Sequence, residues 1–227
     1  MTTLSFLDDG PRDAEATLLL AHGAGAPMDS AAMQAIAEAL AGAGLRVMRF
    51  EFAYMAARRI GARKPPPNAE SLLPEYRAAV AAARVQAGPT RLVIGGKSLG
   101  GRVASMVADA LHNAQEVAGL LCLGYPFHPP KQPTKTRTAH LAALRTPTLI
   151  VQGTRDPFGT EDEVAQYQLS PAIELLWLPD GDHDLTPRKS VSGFTAADHR
   201  ATLAVRVKSW LNERTCAPAF PPSLPAL

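Results

Sequence analysis

Cysteine is nearly absent from this 227-residue chain. Cys122 and Cys216 are the only two, too few for a disulfide scaffold and in keeping with a reducing, cytoplasmic setting. Excess charge of either sign is missing too. Lys and Arg number 23 against 21 Asp and Glu, a formal net charge of +2, so no strong field is at hand to hold nucleic acid or an anionic membrane. No apolar run approaches the ~18 residues of a membrane span. The opening residues MTTLSFLDDGPRD carry acids where a secretory leader needs a basic start and a long apolar stretch. No internal repeat appears. These absences leave a globular protein whose expected partner is a small molecule, with no nucleic acid and no membrane.

What the chain does have is enough apolar material for a core without staples. Hydrophobic residues make up 46% of it, and a chain of this length buries about 70% of the surface it would expose unfolded. The apolar runs come in two alternating kinds. Short ones bounded by Gly, Pro or charge are Thr17–Ala21, Leu45–Phe52, Arg91–Ile94, Val117–Leu123, Thr148–Val151 and Ile173–Leu178. With apolar side chains on both faces, they read as strands of a sheet covered on both sides. Longer segments with helical spacing lie between or after them: Ala31–Ala41, Ala69–Ala87, Ser98–His112 and Ala196–Leu211. The alternation predicts an α/β fold, a mostly parallel twisted sheet flanked by helices on both faces. One domain is expected over 1–215. Ala53–Pro67 and Pro126–Arg137 read as loops, and residues 216–227, rich in proline, as a loosely ordered tail.

Gly96-Lys97-Ser98-Leu99-Gly100 fits G-x-S-x-G, directly after the strand RLVIGG and opening the helix SLGGRVASMVADAL. A nucleophile elbow needs that setting: a serine at a sharp strand-to-helix turn, flanked by glycines that let strand and helix approach. The bland alternative is a serine that only caps a helix. A phosphate-binding loop ending in Gly96-Lys97-Ser98 would need glycine at position 91, where Arg91 stands.

A serine hydroxyl is a weak nucleophile until an imidazole takes its proton. His183 lies in Asp180-Gly181-Asp182-His183-Asp184, after the last expected strand, and Asp156 follows the strand before it. Both should emerge at the same sheet edge as Ser98, in the order Ser, Asp, His. Asp180, Asp182 and Asp184 are nearer to His183 in sequence, but neighbours on a short loop seldom point at each other. Asp156 also has a plain reading as a turn residue before Pro157. The same aspartates do not form a calcium loop, because Leu185 and Val191 stand where an EF-hand needs glycine and glutamate.

His22-Gly23-Ala24-Gly25 follows the strand TLLLA. Small residues there let backbone approach a substrate, so the amides of Ala24 and Leu99 are the expected oxyanion donors, with His22 bracing the loop. Tyr54, Tyr125, Phe127 and Phe158 each follow a strand end at the site edge and are expected as cleft walls. His128 is expected to line the cleft, and Lys97 to meet a substrate carboxylate or pack outward. Arg58, Arg59, Arg63 and Lys64 form a basic stretch that suits an anionic group or a solvated loop equally. This arrangement needs neither metal nor cofactor.

Taken together, HGAGAPMDS, RFEFAYM, GGKSLGGRVAS, LGYPFHPP, GTRDPFG and DGDHDL resemble an alpha/beta-hydrolase-fold protein of a small dienelactone-hydrolase-like branch. That branch includes bacterial hydrolases and eukaryotic relatives, among them a chromatin-complex subunit. The resemblance spans Thr17 to Leu211 and implies Ser98, Asp156 and His183 as a triad. Dienelactone hydrolase itself uses a cysteine nucleophile where this chain has Ser98, so its substrate is not implied. The short stretch between Leu123 and Thr148 leaves no room for a cap domain. The resulting expectation is a serine hydrolase cleaving an ester-like bond. The alternative is a non-catalytic interaction or scaffold module on the same fold.

Overall fold

Apolar side chains on both faces of a strand can be buried only if the sheet is sandwiched, and that requirement shapes the molecule. The computed structural model describes residues 4–62 and 65–214. Its strands are β1 (Leu7–Asp9), β2 (Ala16–Ala21), β3 (Arg46–Phe50), β4 (Arg91–Lys97), β5 (Gly119–Leu123), β6 (Thr148–Gly153) and β7 (Ile173–Leu178). They form one sheet in the order β1-β3-β2-β4-β5-β6-β7. The β1/β3 pair is antiparallel; every other neighbouring pair is parallel. The helices are α1 (Ala31–Gly42), α2 (Ala53–Arg59), α3 (Leu73–Ala87), α4 (Leu99–Asn113), α5 (Glu161–Val164), α6 (Lys189–Ser192) and α7 (Ala196–Arg214).

Successive strand residues go to opposite layers. Leu19, Ile94, Leu120 and Ile150 pack with Tyr76, Val80, Val103 and Val107 of α3 and α4. Leu18, Leu20, Val93, Leu121 and Leu149 pack with Ile36, Leu40, Leu203, Val207 and Trp210 of α1 and α7. The expected α/β sandwich without a cap is therefore what the chain forms. Between β5 and β6 the regular structure is a single 3-10 turn, Leu141–Ala143.

Three details differ from the sequence reading. β1 has only three residues, two of them acids, and so carries no apolar signal. It is held instead by ion pairs from Asp8 to Arg46 (2.7 Å) and Asp9 to Arg49 (2.8 Å) on β3. The expected loop from Ala53 begins as helix α2, because Ala-Tyr-Met-Ala-Ala-Arg-Arg is made largely of good helix formers. The expected helix Ala69–Ala87 opens with a 3-10 turn over Glu70–Leu72 before α3 proper. The expected tail 216–227 and the pair Arg63 and Lys64 lie outside the described residues. Among the described residues no helix is long and apolar enough to cross a membrane.

Topology decides where a site can form. From β2 the chain goes to β3 on one side, then returns to place β4 on the other side of β2. The crevice at the C-terminal ends of β2 and β4 is the switch point at which open parallel sheets bind ligands.

The two faces of α7 should respond oppositely to truncation. Trp210→Ala, at a 1% exposed position, is expected to cost about 3–5 kcal/mol. Val205→Ala, at a 70% exposed position, should stay within about 0.5 kcal/mol. Urea unfolding midpoints at constant slope check both.

Candidate active site

Ser98 stands between β4 and α4 with φ 50° and ψ −113°. A non-glycine residue there costs roughly 1–3 kcal/mol and persists only if its surroundings impose it. They do so by backbone contact. A Cβ on Gly96 would sit 2.5 Å from the Ala21 carbonyl oxygen, and one on Gly100 would sit 2.5 Å from it and 2.7 Å from that of His22. Strand, turn and helix close against the end of β2 only because both positions lack side chains. The Ser98 hydroxyl does not cap the helix. It lies 2.9 Å from His183 Nε2, a residue 85 positions away.

The imidazole is oriented from its other side. His183 Nδ1 is 2.8 Å from Asp156 Oδ2, and donation to that carboxylate leaves Nε2 free to accept the serine proton. Asp156 is fully buried and accepts two more hydrogen bonds. The Gln152 side-chain amide donates to Oδ2 at 2.9 Å and the Phe158 backbone to Oδ1 at 2.9 Å. The structure thus brings Ser98, Asp156 and His183 together in one unbroken chain.

The competing aspartates are engaged elsewhere. The Arg188 guanidinium holds Asp180 down to about 2. Asp182 accepts from the backbone of Asp184 and Thr186. Asp184 pairs with Lys97 Nζ at 3.3 Å. Arg155, next to the acid, grips the histidine loop by donating to the carbonyls of Asp180 (2.7 Å) and Thr186 (3.1 Å).

The loop after β2 lies against the elbow, since a Cβ on Gly23 would be 3.7 Å from that of Ser98. Among the described residues the amides of Ala24 and Leu99 donate no hydrogen bond, Leu99 because first-turn amides have no intrahelical partner. His22 is buried. Its Nε2 accepts from the Phe52 amide at 3.1 Å, so Nδ1 carries the proton and donates to the Gly23 carbonyl at 2.7 Å.

The expected cleft walls divide. Phe158 stacks on the His183 ring at 4.1 Å, and half-buried Tyr54 turns its hydroxyl into the loop after His22. Tyr125, Phe127 and His128 are corrected: they are 0%, 0% and 1% exposed and belong to the interior. The Tyr125 hydroxyl donates to the Arg137 carbonyl, Phe127 fills the space beside Gly159, and His128 bonds Pro129 and Glu163. Lys97 neither faces outward nor stands open to a carboxylate. It is 7% exposed, and loss of water lowers its pKa against the pull of Asp184.

Gln152 escaped the sequence reading. Its signal was a lone polar residue closing the buried run TLIVQG, four residues before Asp156. Buried polar groups of that kind are retained where they have partners to serve. It also accepts from the Tyr125 amide and donates to the Tyr125 and Gly159 carbonyls.

A family model described as an alpha/beta hydrolase domain matches residues 14–212. Solved structures of similar shape include an alpha/beta serine hydrolase without lid from Xanthomonas campestris, at 20% identity and TM-score 0.67 over 96% of this chain and 91% of that one. A dienelactone hydrolase from Anabaena variabilis is 21% identical, with TM-score 0.68 over 93% of this chain and 92% of that one. Est1E from Butyrivibrio proteoclasticus, with ferulic acid bound, is 16% identical, with TM-score 0.66 over 93% and 95%. At these identities the likeness is one of fold.

Burial depresses the pKa of His22 below its ordinary 6.5. The unfolded chain therefore takes up a proton near that pH while the folded chain resists it. Stability from this group is complete above 6.5 and is lost as pH falls below it. Between pH 7.5 and 5, the urea midpoint of the wild type should drop more steeply than that of His22→Asn.

Proposed function

The chain belongs to the alpha/beta hydrolase domain family, and from that premise we propose that it is a serine hydrolase cleaving a carboxylic ester or related acyl bond in a small soluble substrate. One observation carries the reading: the continuous path from Ser98 Oγ to His183 Nε2 (2.9 Å) and from His183 Nδ1 to Asp156 Oδ2 (2.8 Å). In this reading Ser98 Oγ attacks the carbonyl carbon as its proton passes to His183 Nε2. The oxyanion that forms is met by the amides of Leu99 and Ala24, preorganised donors in a site where such bonds count for more than in water. The tetrahedral adduct collapses, the bond to the alcohol oxygen breaks, and His183 returns the proton to the leaving alkoxide. Water then adds to the acyl-serine, giving its proton to His183, and His183 passes that proton to Ser98 Oγ as the bond to the acyl carbon breaks and the acid is released.

Two features support a small substrate with an open approach. The segment between β5 and β6 holds only one 3-10 turn, too little to cover long acyl chains. Phe158, stacked on the His183 imidazole at 4.1 Å, offers an apolar wall beside the reacting groups. A scaffold role explains neither the strained Ser98 backbone nor the buried carboxylate behind His183, both of which cost stability without serving a surface.

A fluorophosphonate probe should label Ser98 in the wild type and leave Ser98→Ala unlabelled. Short p-nitrophenyl esters should be hydrolysed by the wild type, with kcat reduced about a millionfold by Ser98→Ala and about 10⁴-fold by Asp156→Asn. Full turnover by Ser98→Ala, or a wild type that takes no label and cleaves no ester of the panel, would overturn the assignment.

A further inference from the structure

The donors of an oxyanion hole are useful only if something aims them, and the loop after β2 is aimed from behind. A trans peptide is planar, so its C=O and N–H point in opposite directions. Whatever grips the Gly23 carbonyl therefore sets the direction of the Ala24 N–H, and whatever grips the Ala24 carbonyl sets that of Gly25. Both carbonyls are gripped. Gly23 O accepts from His22 Nδ1 at 2.7 Å and from the Tyr54 hydroxyl at 3.2 Å. Ala24 O accepts from the same hydroxyl at 3.3 Å and from the Arg58 guanidinium at 3.2 Å. Of the three, Tyr54 reaches both, its one hydroxyl proton shared between the two carbonyls.

We propose that Tyr54 is a positioning residue for acyl transfer, its hydroxyl clamping two successive carbonyls so that the Ala24 amide faces the reacting carbonyl beside Ser98. The proposal rests on the acyl-transfer reading above and assigns to helix α2 a task that reading leaves open. The helix is fitted to it. Tyr54 and Arg58 are four residues apart, on one face of α2, and the guanidinium lies over the Tyr54 ring at 5.3 Å. The ring also packs edge-on against His22 at 5.6 Å and along Phe52 at 6.2 Å. Two aromatic neighbours and a cation thus restrict where the hydroxyl can point. Burial pushes its pKa up to about 12, so it remains a donor at neutral pH. Arg59 completes the strap by pairing with Asp29 and Glu51, and Glu51 in turn accepts from the Met28 amide at the far end of the same loop.

Tyr54→Phe tests this, because it keeps the ring and removes only the clamp. For a short p-nitrophenyl ester, kcat should fall about 10- to 100-fold with KM within about twofold, since a misaimed donor weakens the transition state and not ground-state binding. Affinity for phenylboronic acid, which becomes tetrahedral on the serine, should fall by a similar factor. The Ala24 and Gly25 amide resonances should move in a ¹H–¹⁵N spectrum. Unchanged kcat and boronate affinity in Tyr54→Phe would overturn the proposal, as would a loss confined to KM. If Tyr54→Phe does not fold, Arg58→Met reads the same clamp from its other arm, with a kcat loss expected and full turnover overturning it. A wild type that neither hydrolyses esters nor binds the boronate would instead overturn the acyl-transfer reading, which separates the two failures.

Discussion

Backbone pressed against backbone at the end of β2 is the contact on which the site depends. The carbonyls of Ala21 and His22 occupy the space that side chains at Gly96 and Gly100 would need. The sheet register sets Ala21 opposite Gly96, so this approach is enforced by the whole β2–β4 ladder. A residue at Ser98 cannot relax out of its positive φ without pulling α4 off that ladder, and the core beneath α4 opposes this with many times the roughly 1–3 kcal/mol of strain. The same contact fixes the separation of two backbone amides. Leu99 opens the helix and Ala24 follows the strand, so both are referred to one junction.

A second constraint is electrostatic. Asp156 and Lys97 are buried beneath the loop that carries His183, and a buried charge is tolerable only with partners. Asp156 has three donors, from His183, Gln152 and Phe158. Lys97 has the Asp184 carboxylate at 3.3 Å and the weaker attraction of Asp156 and Asp182. Because Asp184 follows His183 directly, the ion pair ties the histidine loop to the residue before Ser98. Arg155 ties that loop to the residue beside Asp156. The loop that carries His183 is thus bound to both other parts of the site.

Much of this was legible in the chain, and the reason is periodicity. Runs such as TLLLA and GLLCL can be satisfied only between two helical layers, so the sheet and its order of elements followed from patterning. The meeting of Ser98, Asp156 and His183 followed from their places at strand ends. What stayed hidden was direction. Tyr125, Phe127 and His128 follow β5 much as Tyr54 follows β3, yet the chain turns at Gly124 with φ 61° and buries all three. That turn is tertiary: a Cβ at Gly124 would meet the His183 carbonyl oxygen at 2.7 Å, a contact with a loop far away in sequence. Lys97 is hidden for the same reason, since its partner Asp184 arrives from that loop. β1 was invisible because ion pairs, not apolar residues, hold it.

The hydrogen bonds around Ser98 have a consistent sense. Close to Ser98 the Gly23 and Ala24 carbonyls are occupied by His22, Tyr54 and Arg58, and the Asp156 carboxylate by its three donors. Among the described residues the amides of Ala24 and Leu99 donate to no protein group. A pair of open amides beside occupied acceptors is poorly suited to hold a cation or a hydrogen-bond donor. It is suited to an oxygen that becomes negative. On the acyl-transfer reading proposed above, that polarity favours a reaction in which charge appears on the substrate over passive recognition of a neutral partner, because the open amides gain most when the oxygen they face carries charge.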